Sequence, residues 1–173
     1  MTVLRRIIAS FSHRPGRGDV AFFAWTLPIW AGATYALMAA TGFARLATYD
    51  FTIKHLLIWS GIYWVMPAML EEAIFRPPFF PLTTRIWSRQ FWLLCAVSTA
   101  VFVAVHPFNA WLFMRGDFPV FSDWRFLTAV AGLGVYCSIL LVRSKCVYFG
   151  IVAHYLLVMA WKFALCGHYV GRG

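Results

Sequence analysis

Two adjacent carboxylates, Glu71 and Glu72, stand four or five residues ahead of Arg76 in the stretch Pro67-Ala68-Met69-Leu70-Glu71-Glu72-Ala73-Ile74-Phe75-Arg76-Pro77-Pro78. The residues around them are almost all apolar. An acidic side chain at the centre of a membrane helix costs roughly 2.5–3.5 kcal/mol, so a pair at depth calls for a use. Glu72 and Arg76 share a helix face and can pair. Glu71 points about 100° round the helix and has no sequence neighbour to neutralise it. Two histidines, His106 and His154, also fall inside apolar segments. A free carboxylate beside imidazoles can activate a water or hold a metal ion. Each residue alone has a plainer account: a structural ion pair for Glu72 and Arg76, a histidine bonded to a carbonyl for His154, a helix end before Pro107 for His106. Their joint occurrence favours chemistry.

The rest of the chain must place these groups inside a bilayer. Of 173 residues, 62% are hydrophobic and only 12% charged, and the mean hydropathy is +0.72. Soluble domains carry about 25% charged residues. The chain therefore reads as an integral membrane protein of the all-α class, a single helical domain over 20–173 behind a basic arm at 1–19. The net charge of +9 is explained by orientation in the membrane and by anionic lipid rather than by nucleic acid. Cys95, Cys137, Cys146 and Cys166 show no paired spacing and read as small hydrophobes.

About five spans are expected: Val20 to Gly42 with Pro28 as a possible kink, Phe51 to the double glutamate, Phe91 to Phe108, Phe126 to Val142, and Val147 to Cys166. The arm carries Arg5, Arg6, Arg14 and Arg17 and reads as interfacial. Pro77, Pro78 and Pro81 stop the second helix after Arg76. Phe79 to Gln90 reads as a short amphipathic piece and a turn, and 109–125 as a loop. Arg45 and Asp50 mark a short connection. Alternate segments from the N-terminus hold Arg5, Arg6, Arg14, Arg17, Arg76, Arg85, Arg89, Arg143 and Lys145. The opposite set holds Arg45, Lys54, Arg115, Arg125, Lys162 and Arg172 with Asp50, Asp117 and Asp123. That bias puts the N-terminus in the cytoplasm, and Trp87, Trp92, Trp111 and Trp124 flank the two faces as aromatic belts.

Depth can be read from the same layout. Glu71 and His106 are equidistant in sequence from the turn at Ser88-Arg89, so a hairpin there brings them level. His154 lies roughly 14 Å past its own basic turn. Three spans can thus aim Glu71, His106 and His154 at one cavity. His13, His55 and His168 sit near termini or span ends and stay outside it.

Across residues 60–162 the chain resembles the CAAX prenyl protease 2 and bacteriocin-processing family, known as CPBP or Abi. Glu71-Glu72-x-x-x-Arg76 matches its E-E-x-x-x-R motif, Phe102-x-x-x-His106 its F-x-x-x-H, and His154 the histidine of its H-x-x-x-N. The asparagine of that third motif is Val158 here. The resemblance implies a compact bacterial member: a glutamate-dependent intramembrane endopeptidase with no covalent intermediate, no cofactor and no metal, in the bacterial inner membrane. Glu71 would be the base for a water held also by His106. Glu72 would pair with Arg76, and His154 would polarise the scissile carbonyl. Asn109, three residues past His106, is the candidate to replace the missing oxyanion donor. The substrate would be a membrane-anchored protein or a C-terminal tail, seated against walls such as Phe75, Phe102 and Trp161. A non-catalytic scaffold or immunity protein is the alternative, then a zinc-dependent protease. A carrier is disfavoured because no internal repeat is visible.

Overall fold

The computed structural model describes residues 2–44, 46 and 52–165, and the expectations at Arg45, Asp50, Phe51, Cys166, His168 and Arg172 lie outside them. The described residues form helices joined by turns, without a strand: α1 (Val3–Ser12), α2 (Arg17–Ala40), α3 (Ile53–Tyr63), a π-helical turn (Trp64–Met69), α4 (Leu70–Phe75), α5 (Arg89–Phe113), a 3-10 turn (Arg115–Asp117), α6 (Phe118–Phe121), α7 (Trp124–Ser144) and α8 (Tyr148–Phe163). Arg17–Ala40, Ile53–Phe75, Arg89–Phe113 and Trp124–Ser144 are long and apolar enough to cross a membrane, and Tyr148–Phe163 is a shorter apolar helix. The protein is a polytopic all-α membrane protein.

Sequence chemistry sets the helix ends. The Asp19 carboxylate accepts from the Gly16 amide at 3.1 Å to open α2. The helix runs through Pro28 without interruption. It closes where Gly42, at φ +67°, adopts the left-handed conformation glycine tolerates best. There the Phe43 and Gly42 amides return to the Met38 and Ala39 carbonyls at 2.8 and 3.0 Å. Ser88 accepts from the Phe91 amide at 3.1 Å to open α5. This helix carries Pro107 in its interior and continues to Phe113, so His106 is not at a helix end. Between α5 and α7 the expected loop holds the last turn of α5, the 3-10 turn and α6. Residues 76–88 contain turns but no helix, which corrects the expected amphipathic piece; the prolines there withhold the amides a helix needs.

The second span, expected as one helix up to the double glutamate, is broken at Met66. Met66 is extended, at φ −131° and ψ 118°, because the ring of Pro67 crowds the residue before it out of the helical region. The chain then turns back into helix, with Glu71 and Glu72 in the first turn of α4. The π-helical turn packs on α8, and α4 bridges α5 and α8.

The bundle is centred on α7, which packs on α2, α5 and α8. Gly134 lets α5 approach closely, since a Cβ there would sit 2.9 Å from Thr99 Cγ2. The basic segments meet at one end. Arg6 Nη1 donates to the Pro78 carbonyl at 3.0 Å, Lys145 Nζ to the Thr84 carbonyl at 3.0 Å, and Arg143 Nε lies 3.6 Å from Asp19 Oδ1. At the other end Asp123 caps α7, its Oδ1 accepting from the Arg125 amide at 2.8 Å. Arg125 returns a bidentate pair at 2.9 and 2.6 Å and donates to the Thr41 carbonyl at 3.1 Å. Hydrogen bonds from Arg125 hold the Asp123 carboxyl below the usual carboxylate range. Such a group stabilises the fold above its unfolded value, about 3.9, and that contribution is lost as pH falls through the lower folded value. Asp123→Ala is expected to lower stability by about 1 kcal/mol at neutral pH. The deficit should shrink in strong acid, read as thermal midpoints in detergent.

Candidate active site

Glu72 is fully buried and held from three sides. Arg76, one turn on at the end of α4, donates from Nε to Oε2 at 3.0 Å and from Nη2 to Oε1 at 3.5 Å. His154, from α8, meets Oε1 through Nδ1 at 3.1 Å. Gly150 makes room one turn before it, since a Cβ there would lie 3.1 Å from Glu72 Oε2. Arg76 is pinned in turn: Nη1 donates to Ser98 Oγ at 3.0 Å, Ser98 donates to the Phe75 carbonyl at 2.5 Å, and the guanidinium lies 4.5 Å from the centroid of the Phe102 ring. A buried carboxylate this well paired is a fixed charge. It is not poised to exchange protons with substrate.

Glu71 is different. Its Oε2 is buried and has no hydrogen-bond partner among the described residues, while its side chain keeps 21% exposure. His106 Nε2 lies 3.9 Å from that oxygen and His154 Nε2 lies 3.8 Å from it. The two rings are oriented by their other nitrogens. His106 Nδ1 is 2.8 Å from the Phe102 carbonyl, which can only accept, so Nδ1 carries a hydrogen and Nε2 of the neutral ring offers a lone pair. His154 Nδ1 likewise donates to the Glu72 carboxylate. Both Nε2 atoms therefore face one carboxylate oxygen, too far for a direct bond and close enough to share a water.

Phe102 is the hub of this arrangement. It is fully buried and meets the His106 and His154 rings edge-on, at 4.8 and 5.8 Å between centroids. The four-residue spacing from Phe102 to His106 is what lets one residue supply both the carbonyl that fixes the ring and an aromatic edge beside it. Phe121 of α6 and Phe126 of α7 lie against the other side of His106, at 6.4 and 5.7 Å. Phe75, Phe102 and Trp161, expected as walls for substrate, are 8%, 0% and 7% exposed. They are core that supports the site: Phe75 and Phe102 meet edge-on at 5.4 Å and Trp161 stacks on Phe43 at 5.1 Å.

Glu71, Glu72, Arg76, His106 and His154 thus converge from three segments. Asn109 is half-buried one turn past His106 and its side chain forms no hydrogen bond to another described residue, and Val158 is half-buried one turn past His154. Among the described residues no group of three His, Cys, Asp or Glu side chains is placed to hold a metal ion. Sequence reading passed over Ser98 and Gly150. Ser98 lies four residues before Phe102 and eight before His106, a hydroxyl on the site-facing stripe of an apolar helix, and that signal was present. Gly150 gave none, since its role depends on the approach of another helix. Gly150→Ala is expected to push on Glu72 and cost about 1–3 kcal/mol of stability, measured by thermal unfolding in detergent. Gly132, where a Cβ would meet only the far end of Trp30 at 3.8 Å, should tolerate the same change.

No curated protein and no solved structure matches the chain. The profile of the type II CAAX prenyl endopeptidase Rce1-like family matches residues 53–160, from the start of α3 to near the end of α8. That interval holds all five converging side chains, and it covers more than half of the sequence: the chain belongs to the Rce1-like family of CAAX prenyl endopeptidases.

Proposed function

We propose that this family member is an active intramembrane endopeptidase in which Glu71 activates a water against the peptide bond of a membrane-anchored or C-terminal protein tail. The observation that carries the reading is the unpartnered Glu71 Oε2 facing His106 Nε2 and His154 Nε2, next to a second glutamate that is fully tied down. A water between Glu71 and His106 donates one hydrogen to each. As its oxygen forms the bond to the scissile carbon, Glu71 takes the proton. His154, protonated and braced by Glu72 on Nδ1, donates Nε2–H to the oxygen of the tetrahedral intermediate. Collapse of the intermediate breaks the C–N bond, and Glu71 returns its proton to the leaving nitrogen. The products are an amine and a carboxylic acid, and the acid's remaining water hydrogen passes to His106 Nε2 and on to solvent to leave the carboxylate, with no covalent enzyme intermediate. The cluster balances two carboxylates against Arg76 and His154 in that state, which keeps a site of low dielectric near neutrality.

The chain is read as a bacterial inner-membrane protein on its resemblance to compact bacterial members, and its N-terminus as cytoplasmic on the charge alternation and on the meeting of Arg6, Lys145 and Arg143 at one end of the bundle. A non-catalytic scaffold is the second reading, and one feature favours it: Val158 offers no donor where the resembling family has asparagine. The test is cleavage of a panel of membrane-anchored reporter tails, including native tails from the same genome, by the purified protein with and without chelator. Cleavage that survives chelation and is lost in His106→Ala supports the reading. Intact tails throughout would leave the scaffold.

A further inference from the structure

α1 is strongly amphipathic, with Val3, Leu4, Ile7, Ile8 and Phe11 on one face. It uses that face in two ways. Phe11 turns inward and meets the Tyr148 ring edge-on at 5.5 Å, whereas Val3, Leu4 and Ile8 stay 50%, 65% and 55% exposed. Arg5 on this helix, Arg14 after it and Arg17 at the start of α2 are exposed and form no ion pair with a described residue.

The inner side of the helix performs structural work on other elements. The N-terminus of α8 lacks a side-chain cap, and its Val147 amide donates instead to the Ser10 carbonyl of α1 at 3.1 Å. Arg6 Nη1 donates to the Pro78 carbonyl at 3.0 Å, two residues past Arg76. α1 therefore holds the starts or ends of both segments that bring charge to the site, one leading to His154 and one leaving Arg76.

From this combination we infer that α1 is a strap seated on an anionic leaflet: its exposed apolar residues enter the acyl boundary, its Arg5 and the Arg14 and Arg17 that follow it meet lipid phosphates, and its other side fixes the entry to α8 and the exit from α4. An apolar face flanked by unpaired arginines is what an anionic membrane surface recognises. Exposed Arg85 and Trp87 of the adjoining turn and Arg89 at the start of α5 extend the same basic and aromatic rim.

The test is hydrogen exchange of the backbone amides of residues 3–12 and 147–151, read on the full chain in nanodiscs. One set holds phosphatidylcholine alone and the other adds phosphatidylglycerol. Exchange in both segments should slow by about tenfold or more when the anionic lipid is present. High salt should erase the difference, as should the double variant Arg5→Glu, Arg14→Glu, whose two residues touch nothing in the site. Equal exchange in the two lipids would overturn the proposal. A lipid effect that ignores salt and charge reversal would overturn the electrostatic seat. Slowing in 3–12 without any change in 147–151 would overturn the strap.

Discussion

Glu71→Gln is expected to cut cleavage sharply while leaving the fold intact. The loss expected from removing a positioned general base is about 10²–10⁴-fold, and it should fall on kcat rather than on KM, because the amide keeps the shape of the side chain. Stability should stay within about 0.5 kcal/mol of the parent. The reason lies in the bonding of the two glutamates. Glu71 Oε2 has no hydrogen-bond partner to lose. The new amide can donate to the lone pair on His106 Nε2, which the hydrogen bond to the Phe102 carbonyl has turned toward it. Thermal unfolding in detergent and single-turnover cleavage on the same preparation read the two effects apart. A Glu71→Gln variant that cleaves within tenfold of the parent would exclude Glu71 as the base.

How far the sequence reached follows from what each feature depends on. The membrane class and the spans were legible because the hydrocarbon layer fixes the length and composition of a crossing helix, whatever its neighbours. Glu71, Glu72, Arg76, His106 and His154 were legible because ionisable groups are costly in that setting and stand out against Phe, Leu and Val. The break at Met66 was written in Pro67, yet apolar residues on both sides concealed it, and hydropathy does not distinguish a straight helix from a kinked one. The division of labour between the two glutamates was only half visible. The i,i+4 spacing assigned Arg76 to Glu72, but the meeting of His154 with Glu72 depends on the tertiary approach of α8, permitted by Gly150. Ser98 and Gly150 carry no charge, so only the packed structure gives them a role. The substrate walls were misassigned for a related reason: Phe75, Phe102 and Trp161 are large and apolar, and nothing in the sequence says whether such a ring faces a cleft or a neighbouring helix.

The opposite outcome is expected at Arg76. Arg76→Ala should cost about 3–5 kcal/mol, a large part of the roughly 5–15 kcal/mol that holds an ordinary domain together. It leaves the Glu72 carboxylate, 0% exposed, facing a void, and it strips Ser98 Oγ of its donor. Arg76→Lys should rescue only part, since one ammonium cannot fork to Glu72 and reach Ser98 while lying over the Phe102 ring. The sharper measurement is a double-mutant cycle. Replacing the pair together, as Glu72→Gln with Arg76→Met, removes both buried charges. It should be markedly less destabilising than either single change that strands a charge. If the double variant is as unstable as the sum of the singles, the two side chains are not coupled and the ion pair is not what holds α4 against α5. If it folds, its cleavage rate becomes informative in its own right. His154 would then have lost the carboxylate on Nδ1 while Glu71 and His106 remained. A slow but folded enzyme would assign Glu72 to bracing His154, and a fast one would confine Glu72 and Arg76 to stability.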